Sequence, residues 1–302
     1  MNGEAAPTAV AAPTKLVVHQ DDVGMCHGAN QAFLELAPLG IVRSGSVMVP
    51  CPWFHEIARA AVDDRTLDLG VHLTLNSEKP AYKWRPLTTP PAAAGLTDPN
   101  GFLWPDVAST RRHCDPAAAD VEMRAQVERA LAAGIDVTHL DAHMGAALAP
   151  EFCDAYLRLG EEFDVPVLLT AQLADYGPHE HLADADVARY DVMVARARSL
   201  GFIVFDRGIE TYWARTTSAE AWYSELFSTM PPGLTFAALH FNAPGDVEVI
   251  EPHSAHIRIA EYELFSDAAF CEMLVALDIE FQGFRELRDL HRAAPPSVHT
   301  GR

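Results

Sequence analysis

The chain has 302 residues, 49% of them hydrophobic and 21% charged, which is enough apolar material for one sizeable core; barrel folds use about 200 to 250 residues as a single unit. Its 42 acidic against 22 basic residues give a formal charge of −20. That argues against a general affinity for nucleic acid or an anionic membrane, since either needs a basic surface. Cys26, Cys51, Cys114, Cys153 and Cys271 are widely spaced and contain no C-x-x-C pair, so unpaired thiols in a reducing compartment, the cytoplasm, are expected rather than a disulfide framework. No run reaches the roughly 18 apolar residues that span a bilayer.

The first 14 residues are rich in Ala and Pro, lack a basic stretch and carry Glu4; they read as a flexible leader, and 291–302 as a flexible tail. From Lys15 onward short apolar runs alternate with helically periodic segments. "KLVVHQ" leads into "GANQAFLELAPLG", "GSVMVP" into "PWFHEIARAAV", and "LDLGVHLTL" into a long Pro/Trp-rich passage. After it "VTHLDAHMG", "VPVLLT", "FIVFDRG", "GLTFAALHF" and "IEFQGFREL" alternate with amphipathic stretches. Apolar runs of this length between helices imply repeated βαβ units and a mostly parallel sheet. No Gly-rich phosphate fingerprint follows the first run. The expected fold is therefore α/β: an irregular, TIM-like (β/α) barrel of seven to eight strands over residues 15–290, forming one catalytic domain with an insertion after the third strand at about 77–118.

That insertion holds Tyr82, Trp84, Trp104 and seven prolines between Pro80 and Pro116. Connections of this length are usually binding loops or lids. Tyr82 and Trp84 are its candidates for stacking against a sugar ring.

The polar residues carry the functional signal. Asp21 and Asp22 follow the first apolar run, His72 lies in the third, His139, Asp141 and His143 lie in "THLDAHMG", and His240 ends "LTFAALHF". In a parallel barrel the later ends of the strands open on one face, where catalytic residues gather. Alternation along a strand puts His139, Asp141 and His143 on one side. Such a ladder is costly to bury without a partner, and a divalent cation held by imidazole nitrogens and a carboxylate is the natural one. One aspartate of the adjacent pair then serves as ligand and the other as proton acceptor for an activated water, with His240 opposite as the acid. A metal-assisted hydrolase fits this set; a metal-dependent sugar isomerase uses similar ligands. His55, His113, His179, His181, His253 and His256 are expected at the surface.

Five segments in order resemble the YdjC-like carbohydrate deacetylases, the ChbG/HpnK group: "HQDDVG", "GIVRSGSVMVPCPWF", "LGVHLTL", "THLDAHMG" and "LHFNAPG". The resemblance runs from Lys15 to about Leu290. It implies a distorted (β/α) barrel that binds one divalent ion and removes acetyl groups from N-acetylated sugars or oligosaccharides. Carried over by position, it implies Asp22, His72 and His143 as metal ligands, Asp21 as base and His240 as the acid that protonates the amine. His139 and Asp141 would orient the ligands. Two imidazoles and one carboxylate favour zinc, with magnesium as the second choice. His19, Gly145 and Asn242 depart from the family's pattern at Asn, His and the His-Pro step. The spacing in "HLDAH" also fits polysaccharide deacetylases of the NodB type, for which the ligands would be Asp22, His139 and His143. With these departures a non-catalytic sugar-binding relative is a third reading. The sequence leaves the oligomeric state open, with a homodimer as the assembly considered, and points to no nucleic-acid or membrane partner.

Overall fold

The computed structural model describes residues 12–176, 182 and 187–293. Most of the leader at 1–14 and of the tail at 291–302 lies outside the described residues, as do His179 and His181. Residues 291–293 belong to the last helix.

Among the described residues, seven strands form one parallel sheet: β1 (Thr14–Val23), β2 (Val42–Val47), β3 (Leu69–Leu73), β4 (Val137–Ala142), β5 (Arg207–Glu210), β6 (Gly233–Leu239) and β7 (Ile279–Phe281). Their order is β4-β3-β2-β1-β6-β5, with β7 also on β1. One edge of β1 follows β6 from Thr14 to Gln20. Its other edge is shared, with Thr14–Leu16 on β7 and Val18–Val23 on β2. β3 is buried along its whole length, and β1 and β4 nearly so, as expected of parallel strands covered on both faces.

The helices lie between the strands: α1 (His27–Leu36), α2 (Phe54–Asp63), α3 (Val107–His113), α4 (Pro116–Ala132), α5 (Cys153–Phe163), α6 (Val187–Ser199), α7 (Ala219–Ser228), α8 (Val247–Ile250), α9 (Ala255–Ser266), α10 (Ala268–Val275) and α11 (Phe284–Ala293). Helix α2 shows why these segments fold as they do. Phe54, Ile57, Ala58 and Ala61 are its buried residues, an i, i+3, i+4, i+7 stripe laid against the sheet. Helix α4 starts where Asp115 caps Ala117 N–H and Pro116 opens the first turn, a position where proline sacrifices no hydrogen bond. Helix α11 closes the end at which the strands begin, with Arg285 donating to Leu67 O and Arg288 to Val137 O. Its Phe284 packs with Phe205 and Phe236 on the floor inside the sheet.

Eight apolar runs suggested up to eight strands. "VPVLLT" forms single bridges instead of a ladder: Leu140 to Val167 and Thr170 to Phe205. Pro166 has no N–H to donate, while its carbonyl accepts from Leu140 N. This stretch crosses the gap between the edge strands β4 and β5, so the ladders describe a half-barrel.

Residues 74–115 separate β3 from α4 and hold few regular elements besides α3. Their aromatic polar atoms are tied to backbone: Tyr82 Oη to Met25 O, Trp84 Nε1 to Asn76 O and Trp104 Nε1 to Gly95 O. Trp84 is buried in the main core, and Trp104 stacks on His113. All five cysteines are unpaired, four of them buried. No helix among the described residues is long and apolar enough to cross a membrane.

Candidate active site

A cavity of about 440 Å³ opens at the later ends of the strands. Asp21, Asp22, His72, Asp141, His143 and His240 all line it. Its rim also includes Glu78, Lys79, Trp213, Glu251 and Arg258. Neither Tyr82 nor Trp84 lines it; the long passage contributes Glu78 and Lys79 instead.

The end of β1 shapes the site. Its register on β2 shifts between Gln20 and Val23, and Asp22 adopts φ +62°, a left-handed conformation that aspartate tolerates better than most residues. The bulge turns both carboxylates into the cavity where plain alternation would separate them. A second irregularity sits after β4. The strand ends at Ala142, and Met144 and Gly145 take φ +50° and +69°. His139 and Asp141 therefore share the inner face as expected, but His143 begins a turn rather than continuing the ladder. The turn carries its ring toward Asp22.

Asp22 Oδ1 lies 3.2 Å from His143 Nδ1 and 3.6 Å from His72 Nε2. The other nitrogen of each ring is already held by a carboxylate. His72 Nδ1 is 3.0 Å from Asp141 Oδ1, and His143 Nε2 is 3.0 Å from Glu78 Oε2. Asp141 is steadied in turn by a 2.7 Å bond from Ser46 Oγ. Carboxylates of this kind orient metal-binding imidazoles and raise their basicity. Two nitrogens thus converge on Asp22 Oδ1, a buried oxygen with no hydrogen-bond partner. That orphaned atom and this donor chemistry fit a divalent cation.

Two other groups bring three donors within 4.8 Å, His19–His139–Asp141 and Asp21–His72–Asp141. In both, Asp141 oxygens are already engaged by His72 and Ser46. His139 Nε2 faces His19 Nε2 at 2.9 Å, and its ring stacks on Phe284 at 3.7 Å. His139 is not gathered with Asp22 and His143.

The charges follow from this enclosure. Burial alone would raise the Asp22 carboxyl; His143 and Arg258, which donates to Oδ2 at 2.9 Å, outweigh it and hold it well below the usual carboxylate range. Burial likewise opposes charge on His72, but Asp141 pushes its imidazole up. Burial disfavours charge on Glu78 too, yet His143 and Lys79 bring its carboxyl down to about 2. On His143 burial is again overcome, by Glu78 and Asp22, and the imidazole is pushed up to about 10. Below that pH the ring carries a proton that a cation must displace. Cation affinity is therefore expected to fall as the pH is lowered below 10, by about tenfold per pH unit for each proton the ion displaces. Calorimetric titration of the metal-free protein in buffers of different ionisation enthalpy measures that release. Release of no proton would remove His143 as a candidate ligand.

Across the cavity, His240 Nε2 and His72 Nε2 each lie 4.0 Å from Asp21 Oδ2. His240 Nδ1 is 3.0 Å from Thr211 Oγ1, which donates to the buried Glu261. Burial, then Arg258, push the His240 imidazole down. Trp213 covers this corner, 4.8 Å from the His240 ring and 5.1 Å from the Arg258 guanidinium.

The sequence profile of YdjC-like proteins matches residues 15–276. The chain belongs to the YdjC-like family. It is 31% identical to the carbohydrate deacetylase of Thermus thermophilus over 230 residues, covering 76% of this chain and 78% of that one. It is 33% identical to the carbohydrate deacetylase of Brevibacillus brevis over 159 residues, 51% of this chain and 58% of the relative. A protein of Enterococcus faecalis V583, described as a candidate for cellobiose-phosphate cleavage, shares the fold with a TM-score of 0.75 at 17% identity, covering 91% of this chain and 99% of that one.

Among YdjC-like features, the departures at 145 and 242 now have surroundings. Gly145 lies in the left-handed turn with Leu182 within 3.2 Å of where a Cβ would stand. Asn242 is buried and its Oδ1 accepts from Cys26 Sγ. Sequence reasoning missed Glu78, Arg258, Glu251, Trp213 and Glu261. Arg258 and Glu261 sit on α9, more than 200 residues beyond β1, so no spacing rule ties them to the site. Ser46 lay within a segment already noted, and its small polar side chain facing the sheet interior was the available signal.

Proposed function

We propose that this protein is a cation-dependent deacetylase of N-acetylated sugars. The observation that carries the reading is the buried, unpartnered Asp22 Oδ1 with His72 and His143 aimed at it, and Asp21 and His240 facing each other 4.0 Å apart alongside. The carbohydrate deacetylases among the relatives support the substrate class. Asp22, His72 and His143 would hold the ion, zinc rather than magnesium on the strength of two imidazoles. When bound there it supplies Lewis acidity for the acetyl carbonyl and the attacking water.

The remaining roles fall to the chain. Asp21 Oδ1 is occupied by His19 Nδ1 at 2.8 Å, which leaves Oδ2 to take the proton of the attacking water. Thr211 gives its hydrogen to Glu261, so its oxygen accepts from His240 Nδ1–H and the His240 Nε2 lone pair faces Asp21. His240 Nε2 then receives that proton and delivers it to the sugar nitrogen as the C–N bond breaks, with acetate as the other product. Glu78 and Asp141 keep the two ligand rings turned inward.

The purified protein is expected to release acetate from N-acetylglucosamine or its short oligomers, to lose at least about 100-fold of that rate on chelation, and to regain it with zinc. An isomerase releases no acetate. Turnover that survives full removal of metal overturns the cation-dependent reading, and a protein that binds these sugars without ever releasing acetate overturns deacetylation.

A further inference from the structure

We propose that His19 is a positioning residue that holds the Asp21 carboxylate in place by donating from Nδ1, its own orientation set by a hydrogen-bonded chain running down through the sheet. The proposal rests on the reading of Asp21 as the base.

Five groups follow one another from the cavity floor to the end where the strands begin. Asp21 Oδ1 is 2.8 Å from His19 Nδ1, and His19 Nε2 is 2.9 Å from His139 Nε2. His139 Nδ1 is 3.0 Å from Thr138 Oγ1, which is 2.6 Å from Asp68 Oδ1. Both imidazoles are fully buried. The site is built to hold them. A Cβ on Gly70 would lie 2.4 Å from the His139 ring, whose other side is stacked on Phe284. Burying two imidazoles nitrogen to nitrogen is costly unless each is paired, and here they pair with one another.

Hydrogens can be counted along this chain. Four short gaps need four hydrogens, but two neutral imidazoles and one hydroxyl supply three. One further proton therefore belongs to the chain. The base reading takes Asp21 as an acceptor, so that proton lies elsewhere in the chain, between His19 and Asp68. Wherever between those groups it lies, the result at the cavity is the same. His19 Nδ1–H points at Asp21 Oδ1, that oxygen is occupied, and Oδ2 is left facing the cavity. The side chain of Asp21 has one fixed acceptor direction where a free carboxylate would rotate.

Two substitutions of similar size separate this role from packing. In His19→Asn the carboxamide nitrogen falls where Nδ1 was, keeping the bond to Asp21 and losing the one to His139. In His19→Gln the longer carboxamide reaches the Nε2 position, keeping the bond to His139 and losing the one to Asp21. His19→Gln is expected to lower kcat for acetate release about 100-fold, with KM within about threefold and bound metal unchanged, whereas His19→Asn stays within about fivefold of the parent kcat. Equal loss in both, equal retention in both, or the reverse order overturns the proposal. A residue acting only through Asp21 adds nothing once Asp21 is gone, so Asp21→Asn combined with His19→Gln is expected to match Asp21→Asn alone. If Asp21→Asn keeps full activity, it is the base assignment that fails. A measurement on the unaltered protein covers variants that do not fold: imidazole 15N spectra should show a hydrogen on His19 Nδ1. A bare Nδ1 there removes the donor and the proposal with it.

Discussion

Asp22→Ala is expected to leave the purified protein without a bound divalent ion and to lower acetate release by at least about 10³-fold, because it removes the carboxylate on which the proposed ligands converge. The same change acts on stability. Arg258 is 3% exposed and bonds Asp22 at 2.9 Å and Glu251 at 2.8 Å. Removing one partner of a buried ion pair costs about 3–5 kcal/mol; Glu251 remains here, so the lower end applies. Asp22→Asn separates the two effects, since its carboxamide oxygen still accepts from Arg258 while serving poorly as a ligand. The expected outcome is near-parent denaturant stability with no metal by elemental analysis. Full metal content and full activity in Asp22→Ala would dissolve the proposed site.

Asp21→Asn is expected to keep the cation and lose roughly 10² to 10⁴ in kcat, the span of general base catalysis. Asp21 lies next to Asp22 in sequence, but the three converging donors do not include it. Its Oδ2 is 4.0 Å from both His72 and His240, close enough to share a water with them and too far for a direct bond. The carboxamide preserves shape and removes basicity, so a fall in kcat without loss of metal identifies a proton acceptor. Loss of metal together with activity would make Asp21 a ligand.

Much of the site was legible because strand ends are. Asp21, Asp22, His72, Asp141 and His240 each follow or finish an apolar run, and parallel strands deliver such residues to a common rim. His143 was expected there by continuing the alternation of β4. It arrives by a different route, through a turn with two left-handed residues, and alternation cannot reveal a turn. His139 shows the opposite limit. Its spacing to His143 suited a ligand pair, yet its strand position puts it one layer deeper, against His19 and Phe284. Among the aromatics, Trp84 had the composition of a sugar platform, but its indole is buried with its N–H on Asn76 O. Trp213, with no signal around it, flanks the cavity.

The sequence by itself determined the order of elements, the parallel sheet, the absence of a phosphate fingerprint and the residue types at the strand ends. These follow from hydrophobic period and local backbone preference, which act over a few neighbouring residues. Only the tertiary structure decided which nitrogen of each histidine faces Asp22, which carboxylate holds the other, and that Glu78, Glu251 and Arg258 close the ring of charge. Those choices depend on side-chain direction and on contacts between segments as far apart as β1 and α9. Hydrogen bonds of about 3 Å are set where such segments meet, and no pattern along the chain carries that distance.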